Sequence, residues 1–321
     1  MNNIFFPTFI LIFKAVIQIT LVAIAGGILV RKKIITPKQV KFLASVTIKI
    51  FLPCLIFSKL VTYFDPGAFK IWWLIPVSAV LIIFAGLLLG ALFFIRELPE
   101  KKNMLSLSGI HNASYLILPI GAFVYKDNFG QFSLYVFLFT IAMSPILWSI
   151  GKELSTERNE KLSLKKLLTP PLYANFFGLL VVFTHTKWLI PEPVMGAIDL
   201  IGGAAIPVAT LVLGATLGSI SFKKWAPTKD ILRVVIVKLV FVPIITIFVL
   251  NATGLHLTYP FLAEFLVLEA ASAPATGTIL QIRNYGGDTQ KVGSIMIVCY
   301  LLCILTIPFW IAVWRAIITL S

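Results

Sequence analysis

Runs of about twenty apolar residues, each about the length that crosses a bilayer as a helix, recur from one end of this chain to the other. They can be marked near Phe9–Val30, Phe42–Leu60, Ile71–Ile95, Met104–Tyr125, Phe132–Ile150, Tyr173–Leu189, Val194–Leu217, Ile231–Leu250, Phe261–Ile282 and Val292–Ile311. In hydrocarbon no water satisfies the backbone, so each run must close its own hydrogen bonds as a helix. The expected fold class is therefore an all-α integral membrane protein with ten spans. Composition agrees. Charged residues make up 12% of the chain, against about 25% in soluble domains, and the mean hydropathy is +0.98. The first run has no basic flank and no small-residue cleavage site, and it is too long for a signal-peptide core. It is read as a mature span.

The formal charge of +14 would suggest nucleic acid in a soluble protein. Its placement gives another cause, and no nucleic acid is expected. Alternate loops hold Arg31, Lys32, Lys33, Lys38 and Lys41, then Arg96, Lys101 and Lys102. They continue with Lys152, Arg158, Lys161, Lys165 and Lys166, then Lys223, Lys224, Lys229 and Arg233, and finally Arg283 and Lys291. The other loops hold only Lys59, Lys70, Lys126, Lys187 and Arg315. Basic residues stay on the cytoplasmic side. This predicts a multi-pass protein of the inner or plasma membrane with both termini extracytoplasmic.

Prolines inside the apolar runs add a second pattern. Pro53 and Pro119 are 66 residues apart, and Pro207 and Pro274 are 67 apart. The shift between the pairs is about half the chain. A proline in a membrane helix removes a donor and frees a carbonyl, which is tolerated where protein or a cavity re-satisfies them. The spacing predicts a first repeat over residues 1–151 and a second over 171–321. The charged stretch 152–170 would join them as a cytoplasmic linker. Five spans per half is an odd number, so the second half enters the membrane inverted. Broken segments at matching places in two halves point to a carrier's substrate site.

The fourth run reads SGIHNASYLILPIGAFVY and the ninth EFLVLEAASAPATGTILQIRNYGGD. Pro119 disfavours helix at Leu118, and Pro274 sits among Ser272, Thr276, Thr278 and Gln281. If each run breaks at its proline, each leaves a half-helix N-terminus at the protein centre, which favours an anion. Asn112, placed before the first break, adds an amide that can donate to a carboxylate. Glu269, in the ninth span, is a functional residue by default in a membrane. It would take up a proton or a cation, be neutralised by Lys238, or sit in a wet outer vestibule. Lys238 would pair with it or snorkel to the cytoplasm. His111 reads as a structural histidine. Asp199 reads as a solvated helix end. The glycines Gly202, Gly203 and Gly214 fit internal packing or a homodimer contact.

Several short runs together resemble the auxin efflux carrier family. NASYLILPIG, from Asn112 to Gly121, is similar to that family's fourth-helix motif. GGAAIPVATLVLGATLG, from Gly202 to Gly218, resembles its seventh helix. ASAPAT from Ala271, NYGGD from Asn284 and TIP from Thr306 resemble its ninth and tenth. The resemblance covers essentially the whole chain. It implies ten helices in two inverted halves, a scaffold, and a transport part whose fourth and ninth helices cross as broken helices. It also implies transport of organic anions such as auxin, malate or malonate. The same architecture occurs in bile acid/sodium symporters and sodium/proton antiporters. The short central loop looks bacterial. Where the family motif continues with Thr, Gly and Phe, this chain has Ala113, Ser114 and Tyr115, which changes the pocket's shape.

The expected substrate-binding set is therefore Asn112, Ser114, Pro119, Ser272, Pro274 and Thr276, with Glu269 and Lys238 as coupling residues. No cofactor and no metal are expected. Proton coupling, sodium coupling and uniport stay open. A sodium symporter of the bile acid type and an anion channel are the alternatives to a carrier. An intramembrane enzyme would need paired acids or a His/Glu set. The sequence has no HExxH, and its histidines, His111, His185 and His256, are scattered. Cys54, Cys299 and Cys303 have no metal or disulfide spacing.

Overall fold

The computed structural model describes residues 2–155, 168–220 and 225–319. Most of the central linker, with Arg158, Lys161, Lys165 and Lys166, lies outside the described residues, as do Lys223 and Lys224. The described chain is all helical, with a single isolated β-bridge. Seven helices are long and apolar enough to cross a membrane. They are α1 (Asn2–Arg31), α2 (Pro37–Tyr63), α3 (Leu74–Phe93), α6 (Lys126–Ser155), α8 (Glu192–Gly218), α9 (Thr228–Thr253) and α12 (Thr289–Ile318). Leu81, Leu88, Phe176, Phe248 and Leu301 stand exposed on these and neighbouring helices. An outer surface of this kind belongs in lipid rather than water.

The fourth, sixth and ninth expected spans take other forms. The fourth is two pieces, α4 (Leu98–Gly109) and α5 (Ala113–Val124). The ninth is also two, α10 (Pro260–Ala270) and α11 (Thr276–Tyr285). The sixth is the short helix α7 (Pro170–Phe183).

Proline does not act alike at the four positions. Pro274 lies in the gap between α10 and α11. Pro119 does not break its helix, contrary to expectation. Leu118 keeps helical angles, φ −57° and ψ −47°, and the gap lies upstream at Ile110–Asn112. A π-helical turn, Ala113–Ile117, precedes Pro119 instead. The same device precedes Pro53 (turn Thr47–Phe51) and Pro243 (turn Val237–Phe241). A wider turn re-spaces the carbonyls that a proline would otherwise clash with, so the helix continues. Pro207 sits in the first turn after a kink at Ala204, inside α8.

The helices form two groups. In one, α1 packs along the second half of α8, and α7 along the second half of α2. The other holds α3, α6, α9, α12 and the two broken pairs. Each outer helix also touches one long member of that group, α1 against α12 and α7 against α6. Small residues set the closeness within the first group. A Cβ on Gly214 would lie 1.7 Å from the Ala23 carbonyl oxygen, and one on Gly202 would lie 2.7 Å from the Leu55 nitrogen. Both glycines therefore serve internal packing. Gly203 faces open space.

Polar clamps close the two ends of the second group. At the lysine-rich end, Lys101 Nζ donates to Asp230 at 2.7 Å and to Glu97 at 2.6 Å, and Arg233 donates to Glu97 at 2.8 Å. Hydrogen bonds from Lys101 and Arg233 hold the Glu97 carboxyl down at about 2. At the other end, Arg315 grips Glu264 with two bonds of 2.7 and 2.8 Å, and Tyr125 Oη donates to the same carboxylate at 2.5 Å. These tie the end of α5 to α10 and α12.

Two outcomes follow. Gly214→Val should push α1 from α8 and cost about 1–3 kcal/mol or more by overpacking, seen as a lower Tm and loss of the monodisperse peak in detergent. Gly203→Val should change neither. Because its pKa is lowered on folding, Glu97 contributes stability above the ordinary carboxylate range, and that stability is lost as pH falls through about 2. Wild-type Tm should therefore fall more steeply below about pH 5 than that of Glu97→Gln.

Candidate functional site

Both gaps fall at one place. His111 and Pro274 form an antiparallel bridge, and Ala275 N donates to Ile110 O at 3.2 Å. Each extended segment thus supplies partners for backbone groups that the other leaves without a helix. An unsatisfied pair in hydrocarbon would cost several kcal/mol. Ser272 Oγ accepts from Asn112 N at 3.3 Å. Tyr300, from α12, braces both strands. Its hydroxyl accepts from Asn112 Nδ2 and donates to Pro274 O at 3.0 Å.

Two helix N-termini start from this crossing. Asn112 is the N-cap of α5, and its Oδ1 accepts from Tyr115 N at 3.3 Å. One of its amide hydrogens goes to Tyr300, which leaves the second free to donate elsewhere. Ala275 caps α11 without any side-chain bond. Thr278 N turns back to Ala275 O at 3.1 Å, whereas the N–H groups of Thr276 and Gly277 have no intrahelical acceptor. Two helix C-termini end at the same place, those of α4 and α10. Positive and negative helix poles therefore meet within one small volume.

A cavity of about 100 Å³ opens beside the N-termini. Asn112, Ser114, Tyr115, Thr276 and Gly277 line it, with His111 at its back and Trp148 and Met143 from α6. A second cavity of about 580 Å³ adjoins it through the shared side chains Ile48, Trp148 and Leu280. Lys38, Lys41 and Lys49 line this larger space, and among the described residues no acidic side chain does. At the opposite end lies a cavity of about 700 Å³ among Lys59, Tyr63, Asp65, Lys126, Tyr135 and Tyr259. Among the described residues it shares no lining side chain with the space at the crossing.

The expected site residues separate into three sets. Asn112, Ser114 and Thr276 line the small cavity. Ser272 and Pro274 build the crossing behind it, and neither is among its lining residues. Pro119 is buried within α5, beyond the cavity. Asn112 lies at the break rather than ahead of it, because the gap opens before Pro119.

Lys238 and Glu269 form the third set, together with His111. Lys238 does not snorkel. It is wholly buried, with Nζ 2.9 Å from His111 Nδ1. The same Nδ1 lies 2.8 Å from the Glu269 carbonyl oxygen and 3.2 Å from Ser272 Oγ. Glu269 is also wholly buried, so it is not in a wet vestibule. Neither of its carboxylate oxygens has a hydrogen-bond partner. Asp199 is more than a solvated end, since it accepts from Ser58 at 2.6 Å and from Lys59 at 2.8 Å.

Sequence reasoning missed Tyr300 and set His111 aside. A tyrosine in the middle of an apolar span is a signal, but its partner lies 188 positions away in the chain. Among the described residues, no group of three or more His, Cys, Asp or Glu side chains is placed to hold a metal ion.

A family model described as "Membrane transport protein" matches residues 11–166 and 156–311, nearly the full length. No curated protein matches the chain. The broken helices, the apolar exterior and the two matches agree: this chain belongs to the membrane transport protein family, the family of the auxin efflux carriers.

Proposed function

We propose that the chain is a secondary carrier for a small organic anion and works by alternating access. The crossing of the two broken helices carries this reading. It brings two helix N-termini, an amide and the hydroxyls of Ser114, Tyr115 and Thr276 to one small cavity. N-termini favour negative charge by about 0.3–1 kcal/mol each, and up to about 2 in buried geometry. The carboxylate would take the free hydrogen of Asn112, the hydroxyls of Ser114 and Thr276, and the first-turn N–H groups of α11.

Cavity size narrows the substrate class. A space of about 100 Å³ is well below the ~300 Å³ at which drug-sized pockets begin. Three- or four-carbon acids of the malonate or malate kind suit it better than an indole or steroid acid. The lysines of the adjoining cavity would concentrate such anions at its mouth.

The ten-span, two-repeat architecture belongs to this proposal. Counting each broken pair as one crossing and α7 as another adds three to the seven long helices. Residues 1–151 and 171–321 would then be inverted repeats. Contacts support the pairing, since α1 packs on α8 and α12 while its counterpart α7 packs on α2 and α6. The scaffold would be α1, α2, α7 and α8, and the remainder would move against it. With the lysine-rich loops cytoplasmic, both termini face outward from a plasma membrane. The crossing is then open toward the cytoplasm. A homodimer would use lipid-facing surfaces such as that around Gly203.

The test is uptake of labelled malate and malonate into proteoliposomes. Saturable uptake with counterflow supports a carrier; unsaturable current without exchange points to a channel. Asn112→Ala removes a hydrogen bond to a charged group, worth about 1.5–3 kcal/mol, so half-saturation should rise about ten- to a hundredfold. Because Asn112 also caps α5, Asn112→Ser should be measured beside it. Serine keeps a capping oxygen but loses the amide and its bond to Tyr300, so its Tm should fall less than that of Asn112→Ala while the affinity falls as far. Wild-type affinity in both variants would remove the anion site.

A further inference from the structure

Of the three groups at His111 Nδ1, Ser272 Oγ at 3.2 Å can either donate or accept, and the other two ask opposite things of it. The Glu269 carbonyl only accepts, so the 2.8 Å contact wants a proton on Nδ1. A Lys238 ammonium only donates, so the 2.9 Å contact wants Nδ1 bare. A neutral imidazole cannot satisfy both at once. The arrangement has at least two proton placements, and which one holds depends on the charge of Lys238. The Glu269 carboxylate, buried with both oxygens unpartnered, is the second group whose state is undecided by hydrogen bonds. His111 Nε2 is also without a partner, and His111 lines the small cavity. The imidazole thus stands between the cavity and the buried pair.

From these contacts we propose that Lys238, His111 and Glu269 form a one-proton binding site coupled to the anion site. The inference rests on the carrier reading above. Empty, the cluster holds Lys238 as ammonium and Glu269 as carboxylate, with no net charge. Loaded, it holds one more proton, taken from water in the cavity through His111 and resting on the Glu269 carboxyl, for a net charge of +1. A carboxylate bound beside Asn112 and Thr276 favours that extra charge, and the charge favours the carboxylate. The helix poles agree with this division. The N-termini of α5 and α11 face the anion, whereas the C-terminal carbonyls of α10 face the cationic cluster.

Surrounding groups leave the cluster isolated. Cys299 and Cys303 from α12 are the other titratable side chains in electrostatic reach of Lys238. Tyr300 on the same helix is bonded to the crossing. Helix α6 presents the edge of Phe139 to His111. Helix α3 has no ionisable residue, and Glu100, Lys101 and Lys102 of α4 lie in its first turns, where Lys101 is held by Glu97 and Asp230. On α9 itself Asp230 and Arg233 are engaged in that same clamp. On α10 the other acid, Glu264, is held by Arg315.

Two measurements test the proposal. The first needs no substrate. Tm of purified protein is followed from pH 5 to 9 for wild type and for Glu269→Gln, which imitates the loaded carboxyl. The two curves should lie closest at low pH, draw apart by several degrees as pH rises toward the point at which the cluster releases its proton, and stay parallel above it. A separation that stays constant with pH overturns the site. Should Glu269→Gln fail to fold, Lys238→Met is compared with wild type in the same way, and pH-independent separation again overturns it. The second measurement uses proteoliposomes with a trapped pH dye, the potential clamped at zero, and malate as the probe. Malate entry should acidify the lumen in wild type. Glu269→Gln should keep malate counterflow while the acidification falls to background. Malate entry without proton movement in wild type overturns the coupling. No malate movement at all would count against the malate reading alone, and the Tm curves would still decide the proton site.

Discussion

One backbone contact organises the centre of this protein. Where His111 bridges Pro274 and Ala275 donates to Ile110, two interrupted helices repair each other. Extended backbone is unstable at membrane depth unless protein or water satisfies it. Each gap here does so for the other, and Tyr300 and Ser272 finish the work. Once the crossing exists, its consequences are fixed by helix polarity. Two N-termini and two C-termini must converge, so one face suits negative charge and the other positive. Asn112 and Thr276 stand on the first, Lys238 and His111 at the second.

The rest of the structure is arranged so that the crossing can be rigid inside while its surroundings differ on the two sides. Glu97 with Lys101, Asp230 and Arg233 fastens one end of the central group, and Glu264 with Arg315 and Tyr125 fastens the other. The α1–α8 contact is of another kind. Gly26 and Gly214 press against opposing backbone, and Arg31 adds a bond to the Ile220 carbonyl just past the end of α8. Close packing of small residues holds helices together where lipid offers no hydrophobic drive.

Periodicity and charge placement made the membrane class legible, because bilayer thickness and the hydrogen-bond requirement leave helices as the form for long apolar runs. Matched prolines located both broken helices to within a turn or two. They misplaced the first gap, since a proline can be absorbed by a π turn, as at Pro53, Pro119 and Pro243. The break at Ile110–Asn112 needs no proline; it is made by the partner strand, which no local pattern reveals. Asn112, Ser114 and Thr276 could be read from the segments beside the breaks. Tyr300 and the Lys238–His111 contact could not, because they join helices far apart in sequence. For Lys238, sequence left pairing with Glu269 and snorkelling both open, and packing turned it inward.

Carriage of an anion as proposed requires that the anion sit in the cavity at the crossing and that access to it alternate. A single cysteine at Ser114, in a background where Cys54, Cys299 and Cys303 are replaced, tests this most directly. Membrane-impermeant thiol reagent is applied from each side in turn, with and without malate. Labelling from the lysine-rich side, slowed by malate, and a smaller signal from the opposite side are the predicted result. Labelling that is equal from both sides and indifferent to every small carboxylate tried would contradict the account.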